Sequence, residues 1–193
     1  MDLNNIGLIL LDLDGTVRQC KEHSTNTSPA PCHNLSGQWE IILGTKYVLD
    51  MIDWTNIGLG IVTNQQQIGL HIATTEAVEH EIQLTIQALF PQYPLITVYS
   101  PYIPSLQLYS CHVERARMPK SGNIVRYAPA SLDASDYRTK PSPWMILDLV
   151  RDYGERLDRT LMVGDTEKDR QAAQRAGVHF QWAWKFFGRS EPR

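Results

Sequence analysis

Apolar residues in this chain fall into short runs and stripes that alternate between two periods. Leu8-Ile9-Leu10-Leu11 is four aliphatic residues in a row, the pattern of a strand buried on both faces of a parallel sheet. Ile57 to Val62, Leu95 to Tyr99, Thr160 to Val163 and the short His179-Phe180 predict further strands. Between them the spacing turns helical. Thr45 is expected to cap a short helix carrying Val48, Leu49 and Ile52 on one face. Thr75 to Phe90 places Val78, Ile82, Ile86 and Leu89 on one stripe, with Glu76 in the first turn. Pro141 to Tyr153 turns Ile146, Leu149, Val150 and Tyr153 inward. Glu167 to Ala176 offers Ala172, Ala173 and Ala176 for close packing, and Gly177 stops it. Strands alternating with helices predict an α/β fold with a doubly wound parallel sheet.

Two stretches follow neither period. Residues 18–38 are polar and irregular, and are expected to form a loop lying over the first strand's end. A short extended piece, Trp39 to Leu43, follows it. Residues 100–138 hold scattered prolines and charges and are read as an insertion, a small irregular cap. The aromatic run Trp182 to Phe187 is read as a packed tail. The whole, residues 1–193, makes one domain.

Composition narrows this picture only modestly. The chain is 42% hydrophobic and 20% charged, which is globular, and its net charge of −3 gives no global field for nucleic acid. Cys20, Cys32 and Cys111 do not suggest a disulfide scaffold, and an odd count fits a reducing compartment. No apolar run approaches the ~18 residues of a spanning helix, so a cytoplasmic protein with no membrane partner is expected. Cys20, His23, Cys32 and His33 supply ligand types for zinc, but not at a regular tetrahedral-site spacing.

Candidate chemistry gathers at the strand ends. Asp12 and Asp14 end the first strand, Thr63 and Asn64 the second, and Asp165 and Asp169 follow the fourth; Lys140 stands before a helix. In open α/β sheets the site lies beyond the carboxyl ends of the strands, so these groups converge. Clustered carboxylates repel one another, which implies a hard divalent cation, and Mg²⁺ suits few carboxylates plus a phosphate oxygen. Each group also has a plainer reading: an Asx turn for Asp12 and Asp14, a capping turn for Thr63-Asn64, a solvated lysine, a helix-start acid for Asp169. Their joint occurrence favours chemistry.

Asp12-Leu13-Asp14-Gly15-Thr16, Val62-Thr63-Asn64-Gln65, Thr139-Lys140-Pro141 and Gly164-Asp165-Thr166-Glu167-Lys168-Asp169 resemble, in order, the four motifs of the haloacid dehalogenase (HAD) superfamily. The Thr-Asn-Gln form and Lys-Pro-Ser-Pro-Trp-Met look most like the branch with histidinol-phosphatase, heptose-bisphosphate phosphatase and polynucleotide 3′-phosphatases. The resemblance implies a Rossmann-like fold and Mg²⁺-dependent phosphomonoester hydrolysis through an aspartyl-phosphate. Asp12 would be nucleophile and Asp14 acid/base; Thr63, Asn64 and Lys140 would bind phosphate. Asp12, Asp14 (through its carbonyl), Asp165 and Asp169 would hold the metal.

The chain departs from relatives in two places. Only Cys111-His112 stands where the branch often carries a zinc loop, so structural zinc is not expected there. Thr139 replaces the usual Arg before the motif's Lys, with Arg138 one place earlier. A small phosphorylated metabolite, such as a sugar phosphate or histidinol-phosphate-like ester, is the expected substrate. A 3′-phosphorylated nucleic acid end is the enzymatic alternative, with Arg115, Arg117, Lys120, Arg126 and Arg138 as its basic rim. A non-catalytic phosphate-binding or interaction module is the alternative from another class.

Overall fold

The computed structural model describes residues 3–21, 39–69, 72–90, 96–100, 124–127 and 139–191. At its centre is β1 (Leu8–Leu11), all four residues buried. It pairs in parallel with β4 (Gly58–Asn64) on one side and β7 (Thr160–Gly164) on the other. Beyond β4 lie β5 (Ile96–Ser100) and β6 (Ile124–Tyr127), and beyond β7 lies β8 (His179–Trp182). The six-stranded order is β6-β5-β4-β1-β7-β8, parallel throughout. Chain order runs outward from β1 one way, then returns to its opposite side. That reversal places a topological switch point beside β1, where a ligand crevice opens at the strands' carboxyl ends.

The four-residue aliphatic run is explained by what lies on each face. Leu8 and Leu10 join Val62, Met162 and the buried faces of α4 (Trp144–Tyr153) and α5 (Glu167–Ala176). Ile9 and Leu11 join Ile61, Val163 and the stripe Val78, Ile82, Ile86 and Leu89 of α3 (Thr75–Leu89). Period-two alternation with no polar face is what a sheet covered on both sides requires. The same second cluster takes Leu49 of α1 (Thr45–Asp50) and Ala183 of α6 (Ala183–Phe186), so the aromatic tail packs back through Phe187. A one-turn α2 (Gln66–Gly69) follows β4.

Several expectations change in detail. Arg18–Cys20 is a strand, β2, which pairs antiparallel with β3 (Trp39–Ile41); the segment expected to be loop from residue 18 starts as sheet. Ile124–Tyr127, inside the expected 100–138 insertion, is the parallel edge strand β6, and Ser100 belongs to β5. Thr45 is not a cap. Gly44 holds that position at φ 84°, a left-handed conformation that glycine tolerates, and Thr45 is buried as the first helical residue. Helix α4 begins at Trp144, after Pro141 and Pro143, rather than at Pro141. Among the described residues no helix is long and apolar enough to cross a membrane.

Candidate active site

Asp12 is the first residue past β1, and its amide donates to the Val163 carbonyl at 2.9 Å, continuing the ladder toward β7. This fixes its carboxylate at the switch point, where it is only 6% exposed. Lys140 arrives from the far side of the chain. Its Nζ lies 2.6 Å from Asp12 Oδ1 and 2.5 Å from Asp169 Oδ1, and donates to the Val62 carbonyl at 3.0 Å. A buried ammonium is tolerated only when its donors are matched in this way.

Asn64, at the end of β4, holds the Lys140 main chain at two points. Its Oδ1 accepts from Lys140 N at 2.9 Å and its Nδ2 donates to Lys140 O at 3.2 Å. The Lys140–Pro141 bond is cis. The Asn64 amide is thus committed to orienting Lys140.

Asp165 follows β7 directly and accepts from Thr16 Oγ1 at 3.2 Å. Two glycines make room for the acids. A Cβ on Gly15, whose φ is +86°, would lie 2.1 Å from Asp165 Oδ2, and one on Gly164 would lie 2.3 Å from the Asp169 Cβ. Asp169 divides its oxygens: Oδ2 accepts from Thr166 N (3.0 Å) and Thr166 Oγ1 (2.5 Å) at the start of α5, while Oδ1 faces Lys140. Helix start and charge cluster are therefore built by one side chain.

Asp12, Asp165 and Asp169 offer one carboxylate oxygen each, all within 4.8 Å of one another. Burial pushes the Asp12 carboxyl well above its usual range; the Lys140 charge opposes this, while Asp169 and Asp165 add to it. Burial and Asp169 likewise raise Asp165. For Lys140 burial acts downward, but Asp12 and Asp169 together outweigh it and raise its pKa. Three acids against one ammonium leave excess negative charge in a poorly solvated site. An all-oxygen carboxylate set with surplus charge fits a hard divalent cation.

Asp14 points to a different set of partners and its side chain is about a third exposed, at 30%. Arg18 Nε donates to its Oδ1 at 2.6 Å and Gln65 Nε2 to its Oδ2 at 2.8 Å. Gln65 Nε2 also donates to Thr63 Oγ1 at 2.8 Å, and Thr63 is buried. Arg18 and Gln65 received no role from the sequence. Gln65 stands inside a quoted motif, and Arg18 follows Asp14 by four residues in a stretch that lacks any period. Arg189 was also unread: it donates to the Thr16 carbonyl at 2.9 Å and to Thr45 Oγ1, with its guanidinium 4.5 Å from the Phe187 ring centroid.

The structure therefore brings together Asp12, Asp14, Thr63, Asn64, Lys140, Asp165 and Asp169. Arg115, Arg117, Lys120 and Arg138, like His23, Cys32, His33, Cys111 and His112, lie outside the described residues, as does the Arg126 side chain. Cys20 is buried and disulfide-bonded, which takes its thiolate away from a zinc site.

A HAD-hydrolase-like family model matches residues 137–182, from the Lys-Pro motif to the end of β8. No curated protein matches the chain in sequence. Solved structures match across almost all of it. A D,D-heptose 1.7-bisphosphate phosphatase from B. bronchiseptica, complexed with magnesium and phosphate, is 20% identical with a TM-score of 0.60, over 91% of this chain and 79% of that one. A Mesorhizobium loti protein assigned to the HAD-like phosphatases is 17% identical at a TM-score of 0.59, over 90% and 69%. A HAD-superfamily hydrolase from Ehrlichia chaffeensis is 13% identical at 0.52, over 92% and 86%. The chain therefore has the fold of the HAD-like hydrolases, and its residues 137–182 carry that family's sequence pattern.

Proposed function

We propose that this protein hydrolyses phosphomonoesters, with Asp12 as nucleophile and Asp14 as acid and base. One observation carries the reading: a buried aspartate at the switch point, 2.6 Å from a buried lysine, with two further carboxylates beside it. Capping of α5 accounts for Asp169, but no such need explains Asp12 and Asp165 gathered with it around one ammonium. Buried charge without a function is costly.

Asp12 attacks phosphorus, the bond to the leaving oxygen breaks, and the proton on Asp14 passes to that oxygen. Asp14, now anionic, takes a proton from the water that attacks the aspartyl-phosphate, and the Asp12–phosphorus bond breaks. Thr63 Oγ1 accepts from Gln65 and keeps its own proton for a phosphoryl oxygen, whereas Lys140 Nζ would reach one by exchanging one of its three acceptors, Asp12, Asp169 or the Val62 carbonyl, while Asn64 keeps its main chain in place. Mg²⁺ would be held by Asp12, Asp165 and Asp169 with the Asp14 main-chain carbonyl, and it supplies neutralisation of charge on the transferred phosphoryl group.

The substrate read here is a small phosphorylated metabolite, of the sugar-phosphate or histidinol-phosphate kind. The likeness in fold to a heptose bisphosphate phosphatase supports it, as does the net charge of −3. The test is Mg²⁺-dependent release of 4-nitrophenol from its phosphate. Asp12→Asn should abolish turnover while leaving the thermal unfolding midpoint within a few degrees. Undiminished turnover in that variant sinks the mechanism. Phosphate binding without turnover in the unaltered protein, across a broad panel of phosphomonoesters, would show the non-catalytic module instead.

A further inference from the structure

The chemistry above leaves unused the largest fully buried side chain among the described residues, and it is charged. Arg18 is 1% exposed. Its Nε donates to Asp14 Oδ1 at 2.6 Å, and one terminal nitrogen donates to Thr85 Oγ1 at 2.9 Å and to the Glu81 carbonyl at 3.1 Å on α3. The guanidinium carbon lies 4.2 Å from the centroid of the Trp39 ring on β3. The other oxygen of Asp14 is taken by Gln65, which is fully buried and whose own Oε1 accepts from Gln67 at 2.5 Å. Each oxygen of one partly exposed carboxylate thus has a donor from a different, buried part of the fold.

Burying a guanidinium costs several kcal/mol unless its donors are matched. Asp14 beyond β1 and two acceptors on α3 match the donors of this one, and Trp39 of β3 covers it. A free aspartate on a strand-end turn rotates among rotamers; Asp14 cannot do so without breaking a charge-assisted bond. We propose that Arg18 is a positioning residue for Asp14, holding the carboxyl in the orientation that delivers a proton to the leaving oxygen. The inference rests on the phosphomonoesterase reading. When the phosphorus–oxygen bond breaks, the Asp14 proton moves to the departing oxygen and the carboxyl becomes an anion. The Arg18 and Gln65 N–H groups bond an anion more strongly than a neutral carboxyl, so the clamp tightens as the proton leaves.

The experiment compares kcat/KM for a series of substituted aryl phosphates from phenyl to 4-nitrophenyl phosphate, in the unaltered protein and in Arg18→Gln. This ratio covers transfer to Asp12 and excludes later hydrolysis of the aspartyl-phosphate. 4-Nitrophenolate departs with little need for a proton, whereas phenolate needs one. Arg18→Gln should lose about tenfold more on phenyl than on 4-nitrophenyl phosphate, part of the ~100-fold or more that general acid catalysis supplies. An equal loss across the series means a merely structural role and overturns the inference, while the phosphatase reading stands. An unaltered protein inactive on the whole series overturns both. If Arg18→Gln fails to fold, Thr85→Val carries the test, since it removes one anchor of Arg18 far from the reacting atoms. A smaller loss with the same leaving-group dependence supports the proposal, and an equal loss overturns it.

Discussion

Lys140→Met removes the one ammonium of the carboxylate cluster while keeping a side chain of similar length. Its Nζ is 2.6 Å from Asp12 and 2.5 Å from Asp169. At an effective dielectric near 20, each attraction is worth about 6 kcal/mol before costs are counted. Desolvation of the ions offsets much of that, and breaking a buried pair from one side costs about 3–5 kcal/mol net. The loss depends on pH in a defined direction. Burial and neighbouring acids already raise Asp12 and Asp165, and losing the cation raises them further. A carboxyl with a folded pKa above its unfolded value contributes stability below the unfolded value and loses it as pH rises through the folded one. Destabilisation by Lys140→Met should therefore be largest at high pH. It should shrink on acidification by up to about 1.4 kcal/mol per unit for each carboxyl that takes up a proton. Urea unfolding at pH 5 and pH 8, without metal, reads this directly, and saturating Mg²⁺ at pH 8 should recover part of the loss. A loss under about 1 kcal/mol at pH 8, or one that does not change with pH, would refute the reasoning.

Three further outcomes follow from the same geometry. Asp165→Asn should raise the melting temperature of the metal-free protein by relieving acid repulsion, and should erase the stabilisation that Mg²⁺ gives the unaltered chain; calorimetry with and without metal decides it. Gly15→Ala puts a methyl 2.1 Å from Asp165 Oδ2 at a φ of +86°. It should cost about 1–3 kcal/mol and weaken Mg²⁺ binding measured by titration calorimetry; unchanged metal affinity would mean that Asp165 is not a ligand. Asn64→Leu unlocks the Lys140 main chain, leaving both of its polar groups to find new partners. Turnover should fall by about tenfold or more with modest loss of stability, and an unaffected rate would show that the clamp is redundant.

Much of the site was legible because its residues are chemically unusual where they stand. A pair of acids ending an aliphatic run, or an aspartate straight after Val163-Gly164, has little reason to be there in a packed sheet. Asp12, Lys140 and Asp165 could therefore be read without knowing their distances. Arg18 could not. Its burial is created by Thr85 and Trp39, far away in the chain, and an arginine in a polar stretch has no period to betray it. Strand β6 was hidden for a related reason: Ile124-Val125 is a short apolar pair among charges, and it becomes a strand only because β5 offers an open edge. The dual use of Asp169 was half legible, since an acid in a first helical turn satisfies the helix alone.

The position of β1 has a consequence for synthesis. Its neighbour β4 emerges within fifty residues, but β7 follows only after another hundred or so, and Lys140 just before it. Until then a nascent chain presents Leu8-Ile9-Leu10-Leu11 with one edge unpaired, a template for pairing with other chains. Asp12 meanwhile waits without its counter-ion. The same late closure that exposes the growing polypeptide also means that no fragment ending before Lys140 assembles the charge cluster.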